Sequence, residues 1–98
     1  MHQSLTVIAH IRAKSGHESH VREILQGLLS PTRAEAGCIN YDLHQSHADP
    51  ALFVFYENWT IEAHLEAHAK SPQIQFLRKV AGEVLAGPVE ITKWEAVI

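Results

Sequence analysis

Cys38–Trp59, CINYDLHQSHADPALFVFYENW, holds two strand-like runs, Cys38–Ser46 and Leu52–Trp59, on either side of HADPA. Asp49-Pro50 between them is a turn signal, so the two pair as a hairpin. Upstream, Leu5–Arg12 (LTVIAHIR) sets Leu5, Val7, Ala9 and Ile11 on one face and Thr6, Ile8, His10 and Arg12 on the other, the period of a strand. Next comes SGHE, where Ser15 and Glu18 have the spacing of a capping box. Val21, Ile24, Leu25, Leu28 and Leu29 then recur at the spacing of a helical stripe. Pro31 lacks the amide that would bond the carbonyl of Gly27, so it is expected to kink or end this helix, with Gly37 as a terminal glycine. Downstream of the hairpin, Thr60 is a candidate N-cap for a helix over Ile61–Lys70. Ser71-Pro72 restarts that helix with a second stripe of Ile74, Leu77, Val80, Ala81, Val84 and Leu85. Gly87-Pro88 stops it, and Val89–Ile98 (VEITKWEAVI) alternates as a last strand.

The order β-α-β-β-α-β predicts an α+β chain of the ferredoxin-like type, an antiparallel sheet with both helices on one face, over a single domain spanning 1–98. One face of such a sheet is usually solvated, yet Leu52–Trp59 is apolar on both sides. Leu52, Val54 and Tyr56 lie on one, and Phe53, Phe55 and Trp59 on the other. A second face carrying two Phe needs cover that one chain does not supply. A homodimer, sheet against sheet about a two-fold axis, is therefore expected.

Bulk properties narrow the partners. Eight Lys and Arg stand against eleven Asp and Glu, for a net charge of -3, and no basic run is present that would neutralise a phosphate backbone or an anionic lipid surface. No stretch approaches the roughly 20 apolar residues of a spanning helix, and the segment MHQSLTVIAHIRAK lacks the apolar length of a signal peptide. A cytoplasmic protein with neither nucleic acid nor membrane insertion is expected. Cys38, the single cysteine, reads as a small strand residue.

Histidine is the unusual component, with eight copies scattered along the chain. His64 and His68 lie four residues apart in HLEAH, close to a zinc-protease motif, in which the glutamate directly follows the first histidine. On a helix the two imidazoles share a face, about 40° apart, while Glu66 points away from them. With no third ligand in view, no metal site is expected. The pair either fills space at the margin of the apolar face or faces a cavity and transfers protons, a task suited to an unperturbed pKa of about 6.5. Other groups in reach of such a cavity are Trp59, where strand meets helix, Phe76 on the restarted helix, and Asn40, Tyr41 and Tyr56 on the strands; each can equally be core or sheet surface.

LTVIAHIRAKSGHES (Leu5–Ser19), EAGCINYDL (Glu35–Leu43) and above all ENWTIEAHLEAHAKSP (Glu57–Pro72) resemble the antibiotic biosynthesis monooxygenase family of small dimeric α/β barrels. The resemblance runs from Leu5 to about Trp94, and the WTIEAHLEAH block is most similar to the quinol monooxygenases of that family. It implies a cofactor-independent oxygenase acting with O2 on a small aromatic or quinol-like substrate in a homodimer, without metal. His64, His68 and Trp59 fall on the matching block, which implies His68 as the base with His64 and Trp59 orienting the substrate; Phe76, Tyr41 and Tyr56 are candidates for pocket walls by position only. Many members have a histidine directly after the S/T-P, where this chain has Gln73. Positions used by the haem-degrading branch are Ala9 and His68 here, which disfavours haem degradation. Two other readings stay open, a non-catalytic small-molecule-binding barrel and an isomerase of a small phosphorylated sugar, because fold and block do not determine chemistry. Against the last, Arg12, Arg33, Arg78 and Lys79 are too dispersed to suggest a phosphate clamp.

Overall fold

The hairpin forms where its turn chemistry places it. β2 (Cys38–Gln45) and β3 (Leu52–Trp59) pair antiparallel, and the connection is closed by side chains: Asp49 N–H donates to Ser46 Oγ at 3.1 Å and Ala51 N–H to Asp49 Oδ1 at 3.1 Å. The structure, a computed structural model, describes residues 4–97. β1 (Leu5–Arg12) lies beside β3, and β4 (Glu90–Glu95) lies on the far side of β1, giving an antiparallel sheet in the order β2-β3-β1-β4. This is the ferredoxin-like arrangement, with α1 (Glu18–Gln26), α2 (Leu29–Arg33), α3 (Glu62–Ala69) and α4 (Pro72–Val84) making the crossovers. Val89 precedes the last strand, and Ile98, its expected end, lies outside the described residues.

Pro31 and Pro72 act as their missing amides require. α1 ends at Gln26, and the chain resumes as α2 with Pro31 in its first turn, where no intrahelical donor is needed. Pro72 opens α4 in the same way. The expected caps do not form. Ser15 sits in a turn closed by His17 N–H donating to Lys14 O at 2.9 Å, and Gly16 within it has φ 87, which no right-handed helix accommodates. The helix therefore starts later, at Glu18, with His17 as an uncapped N-cap residue. Likewise Ile61, not Thr60, precedes α3, and it offers no side-chain cap.

Register decides which face is core. Val7, Ala9 and Ile11 of β1 share the helix-facing side with Phe53, Phe55, Glu57 and Trp59 of β3 and with Tyr41 and Leu43 of β2. Val21, Leu25 and Leu28 descend onto this side from the first crossover, and Leu77 and Val84 from α4. Each fully buried Leu, Ile or Phe contributes roughly 1.5–3 kcal/mol. The two Phe that were expected to need an outside cover are 1% exposed beneath the chain's own helices. What stays open is the opposite side, where Ile8, Leu52, Val54, Tyr56 and Trp94 lie among polar residues. A ladder crosses it: Thr6 Oγ1 donates to Asn58 Oδ1 at 2.6 Å, and Asn58 Nδ2 to Asn40 Oδ1 at 2.9 Å. The ladder continues from Asn40 Nδ2 to Asp42 Oδ2 at 3.0 Å.

Candidate active site

The helices do not close over the whole sheet. Between β1, β3 and β4 below and α3 and α4 above lies a cavity of about 520 Å³. Small side chains leave this space: Ala9 at the centre of the sheet, between Phe55 and Ile91 in the register, with Ala69 and Ala81 on the helices. Its walls are otherwise apolar, from Val7, Ile11, Leu65, Ile74, Leu77 and Val89. His68 and Glu57 are the buried polar groups in the wall, while Glu62, Glu66, Arg78 and Lys93 are exposed lining residues. Lys93 Nζ is bound to Glu62 Oε2 at 2.9 Å.

His68, on the last turn of α3, is 6% exposed. Its Nδ1 lies 2.9 Å from Oε1 of Glu35, a residue of the loop after α2. The other carboxylate oxygen of Glu35 accepts from Nε2 of Gln73, in the first turn of α4, and the same amide donates to Thr32 Oγ1 at 3.1 Å. Glu35 thus accepts from two directions, one bond on each oxygen. With Nδ1–H donating to Glu35, the lone pair of His68 is left on Nε2. The imidazole ring is held between Trp59, with ring centroids 4.8 Å apart, and the edge of Tyr41, at 5.3 Å. Burial pushes its pKa below the ordinary histidine range, against the pull of Glu35, so the ring is a neutral base at neutral pH.

Glu57 stands on the helix-facing side of β3 and is 3% exposed. Its Oε1 accepts from Trp59 Nε1 at 2.9 Å. Burial pushes its carboxyl up to about 7, opposed by the Trp59 hydrogen bond and assisted by the negative charge of Glu35. Tyr41 stacks on Phe55 at 4.4 Å, and its burial, above all, raises the phenol so far that it stays neutral.

The residues singled out from sequence separate cleanly. His68 and Tyr41 line the cavity, and Trp59 lies directly behind His68. His64 packs instead on the backbone of Gly37, whose φ of 80 and lack of a side chain admit the ring. A Cβ there would sit 2.3 Å from its carbons. Asn40 and Tyr56 are on the open face of the sheet, turned away from the cavity, and Phe76 is 52% exposed on α4 outside the cavity lining. Glu35, Glu57 and Thr32 escaped the sequence reading. For Glu57 a signal existed: it is the one carboxylate in register with Phe53, Phe55 and Trp59, a strand face otherwise aromatic. Glu35 gave none, being 33 residues from His68. Gln73, noted only as a departure from pattern, proves to be the residue that ties α4 to Glu35. Among the described residues no three His, Cys, Asp or Glu side chains gather as metal ligands.

The chain's similarities agree with this architecture. A family model described as antibiotic biosynthesis monooxygenase matches residues 4–79. The chain is 36% identical over 92 residues to the Mycobacterium tuberculosis protein named "Putative monooxygenase Rv0793", covering 94% of this chain and 90% of that one. It is 33% identical over 99 residues to the Escherichia coli protein named "Probable quinol monooxygenase YgiN", covering 89% and 94%. The solved structure of PA3566 from Pseudomonas aeruginosa superposes with a TM-score of 0.94 at 36% identity, covering 100% of this chain and 98% of the other.

Proposed function

The chain belongs to the antibiotic biosynthesis monooxygenase family, and from that premise we propose that it is a cofactor-independent monooxygenase of quinols or related polyphenols, with His68 as general base. One observation carries the reading: a buried histidine at the wall of an apolar cavity, with Nδ1 held by Glu35 and Nε2 left for a ligand. Removing a hydroxyl proton from a quinol gives an electron-rich anion, which passes one electron to O2 and recombines with the resulting superoxide. No separate redox group is then required, only a base, correct placement and a dry site. Trp59 and Tyr41 hold the imidazole ring in place. Apolar walls exclude the water that would otherwise solvate the anion. The name of the Escherichia coli relative supports quinols as the substrate class.

The working unit in this reading is a homodimer joined through the open sheet face, where Ile8, Val54 and Tyr56 lack cover within one chain. His64, against Gly37 and one turn from His68, steadies the start of α3 in this scheme. Asn40 and Tyr56 serve the subunit contact instead of the substrate. Oxygen uptake with a panel of reduced naphthoquinones and polyphenols tests the proposal. Uptake well above the buffer rate, reduced at least about 100-fold in His68→Ala, is expected from the usual worth of a general base. Uptake unchanged by that substitution refutes the assignment.

A further inference from the structure

Glu57 plays no part in the proton removal assigned to His68, although both line the same cavity. We propose that Glu57 is a second catalytic residue, the general acid that protonates the oxygen leaving as water when the oxygenated quinol collapses to product. This rests on the quinol reading above and adds a group to it.

Glu35, bound to His68, and Glu57, which lines the cavity with it, are treated in opposite ways by the fold. Glu35 receives hydrogen bonds from both His68 and Gln73, the surroundings of an anion. Glu57 receives one, from Trp59 Nε1, on Oε1; among the described residues nothing donates to Oε2. One of its oxygens is therefore anchored, and the other is left to the cavity. In an apolar wall a carboxyl with a single donor is cheapest in its protonated form, which needs only an acceptor for its O–H. Its neighbours add no compensating cation. Tyr41 and Val7 flank it in the register, and Tyr41 is neutral. Glu35 is negative, and Lys93 at the rim is already bound to Glu62. Arg78 and Glu66 are exposed lining residues of opposite charge. The surroundings thus hold a proton on Glu57 while they keep His68 free of one. A pair of titratable groups displaced in opposite directions is the arrangement that assigns acid and base roles.

The step balances. His68 takes the quinol hydroxyl proton, the anion gives an electron to O2, and the radical pair closes a C–O bond as a peroxide anion, which the imidazolium protonates. His68 then accepts the C–H proton at that carbon, the released pair forms the new C=O, and the O–O bond breaks. The departing oxygen takes the proton of Glu57 and leaves as water; when product leaves and solvent enters, His68 gives up its proton and Glu57 regains one. Quinol plus O2 gives hydroxyquinone plus water, with four electrons leaving the substrate and entering O2.

Glu57→Gln tests the role while keeping the shape and an acceptor for Trp59. Oxygen uptake and hydrogen peroxide release with a reduced naphthoquinone are followed from pH 5 to 9. The wild-type kcat should fall as pH rises through about 7, where Glu57 loses its proton. The variant should lack this falling limb, turn over about 100-fold more slowly, and release the consumed oxygen as hydrogen peroxide. Trp59→Phe, which removes the hydrogen bond that holds the carboxyl down, should move the falling limb to higher pH. A Glu57→Gln protein with wild-type kcat and an intact falling limb overturns the acid role alone. Wild-type protein that consumes no oxygen with any quinol overturns the reading beneath it.

Discussion

The ionisation of Glu57 should be visible in stability without any substrate. The carboxyl titrates at an ordinary 4.5 in the unfolded chain and at about 7 in the fold. Because the folded pKa is the higher one, the stabilisation from its neutral form is complete below 4.5 and is lost as pH rises through about 7. Above that, both states are charged, and the fold carries the cost of a buried carboxylate. At about 1.36 kcal/mol per pKa unit this loss amounts to roughly 3 kcal/mol. Glu57→Gln removes the titration and keeps an oxygen for Trp59 Nε1. Urea unfolding at one fixed protein concentration should therefore place variant and wild type within about 1 kcal/mol at pH 5, with the variant about 3 kcal/mol more stable at pH 8. In thermal melts for a domain this size the gap at pH 8 corresponds to more than about 10 °C. The same separation at both pH values would show that Glu57 is ionised throughout, and the argument from its burial would be wrong. A gain in stability accompanied by lost turnover is the pattern of a functional group kept at a cost to the fold.

Three further outcomes are expected. Glu35→Gln removes the carboxylate that opposes burial at His68, so the rising limb of the pH–activity profile, already below 6.5, should move to lower pH with a reduced maximum; an unmoved limb contradicts the pairing. Gly37→Ala should cost about 1–2 kcal/mol for its left-handed backbone plus a clash with His64, and the double variant with His64→Ala should recover only the part of the clash made by the ring, because the Cβ of residue 64 stays 2.7 Å from the new one. Val54→Lys, on the open sheet face between His10 and His44 in the register, should give a monomer by sedimentation with its far-ultraviolet circular dichroism unchanged; a wild type that already sediments as a monomer disposes of the sheet-to-sheet dimer.

Much of the architecture was legible because its signals are local. Side-chain alternation marked β1, β2 and β3 to within a residue, and the missing amides of Pro31 and Pro72 located the helix breaks. The caps misled, since Ser15 and Glu18 have the spacing of a capping box but Gly16 between them turns to positive φ. A capping box is a statement about side chains that holds only when the intervening backbone is helical.

The sequence by itself determined the order of elements, the helical position of His68 and the departure at Gln73, all of them consequences of period, turn chemistry and pattern along the chain. Tertiary structure alone decided that His64 meets Gly37 while His68 meets the cavity, that Glu35 reaches His68 across 33 residues, and that Glu57 is buried with a single donor. Those facts depend on how neighbouring strands register and on how far helices cover the sheet. The local dielectric and the hydrogen-bond partners that set a proton's affinity come from residues brought together by folding, and no spacing along the chain encodes them.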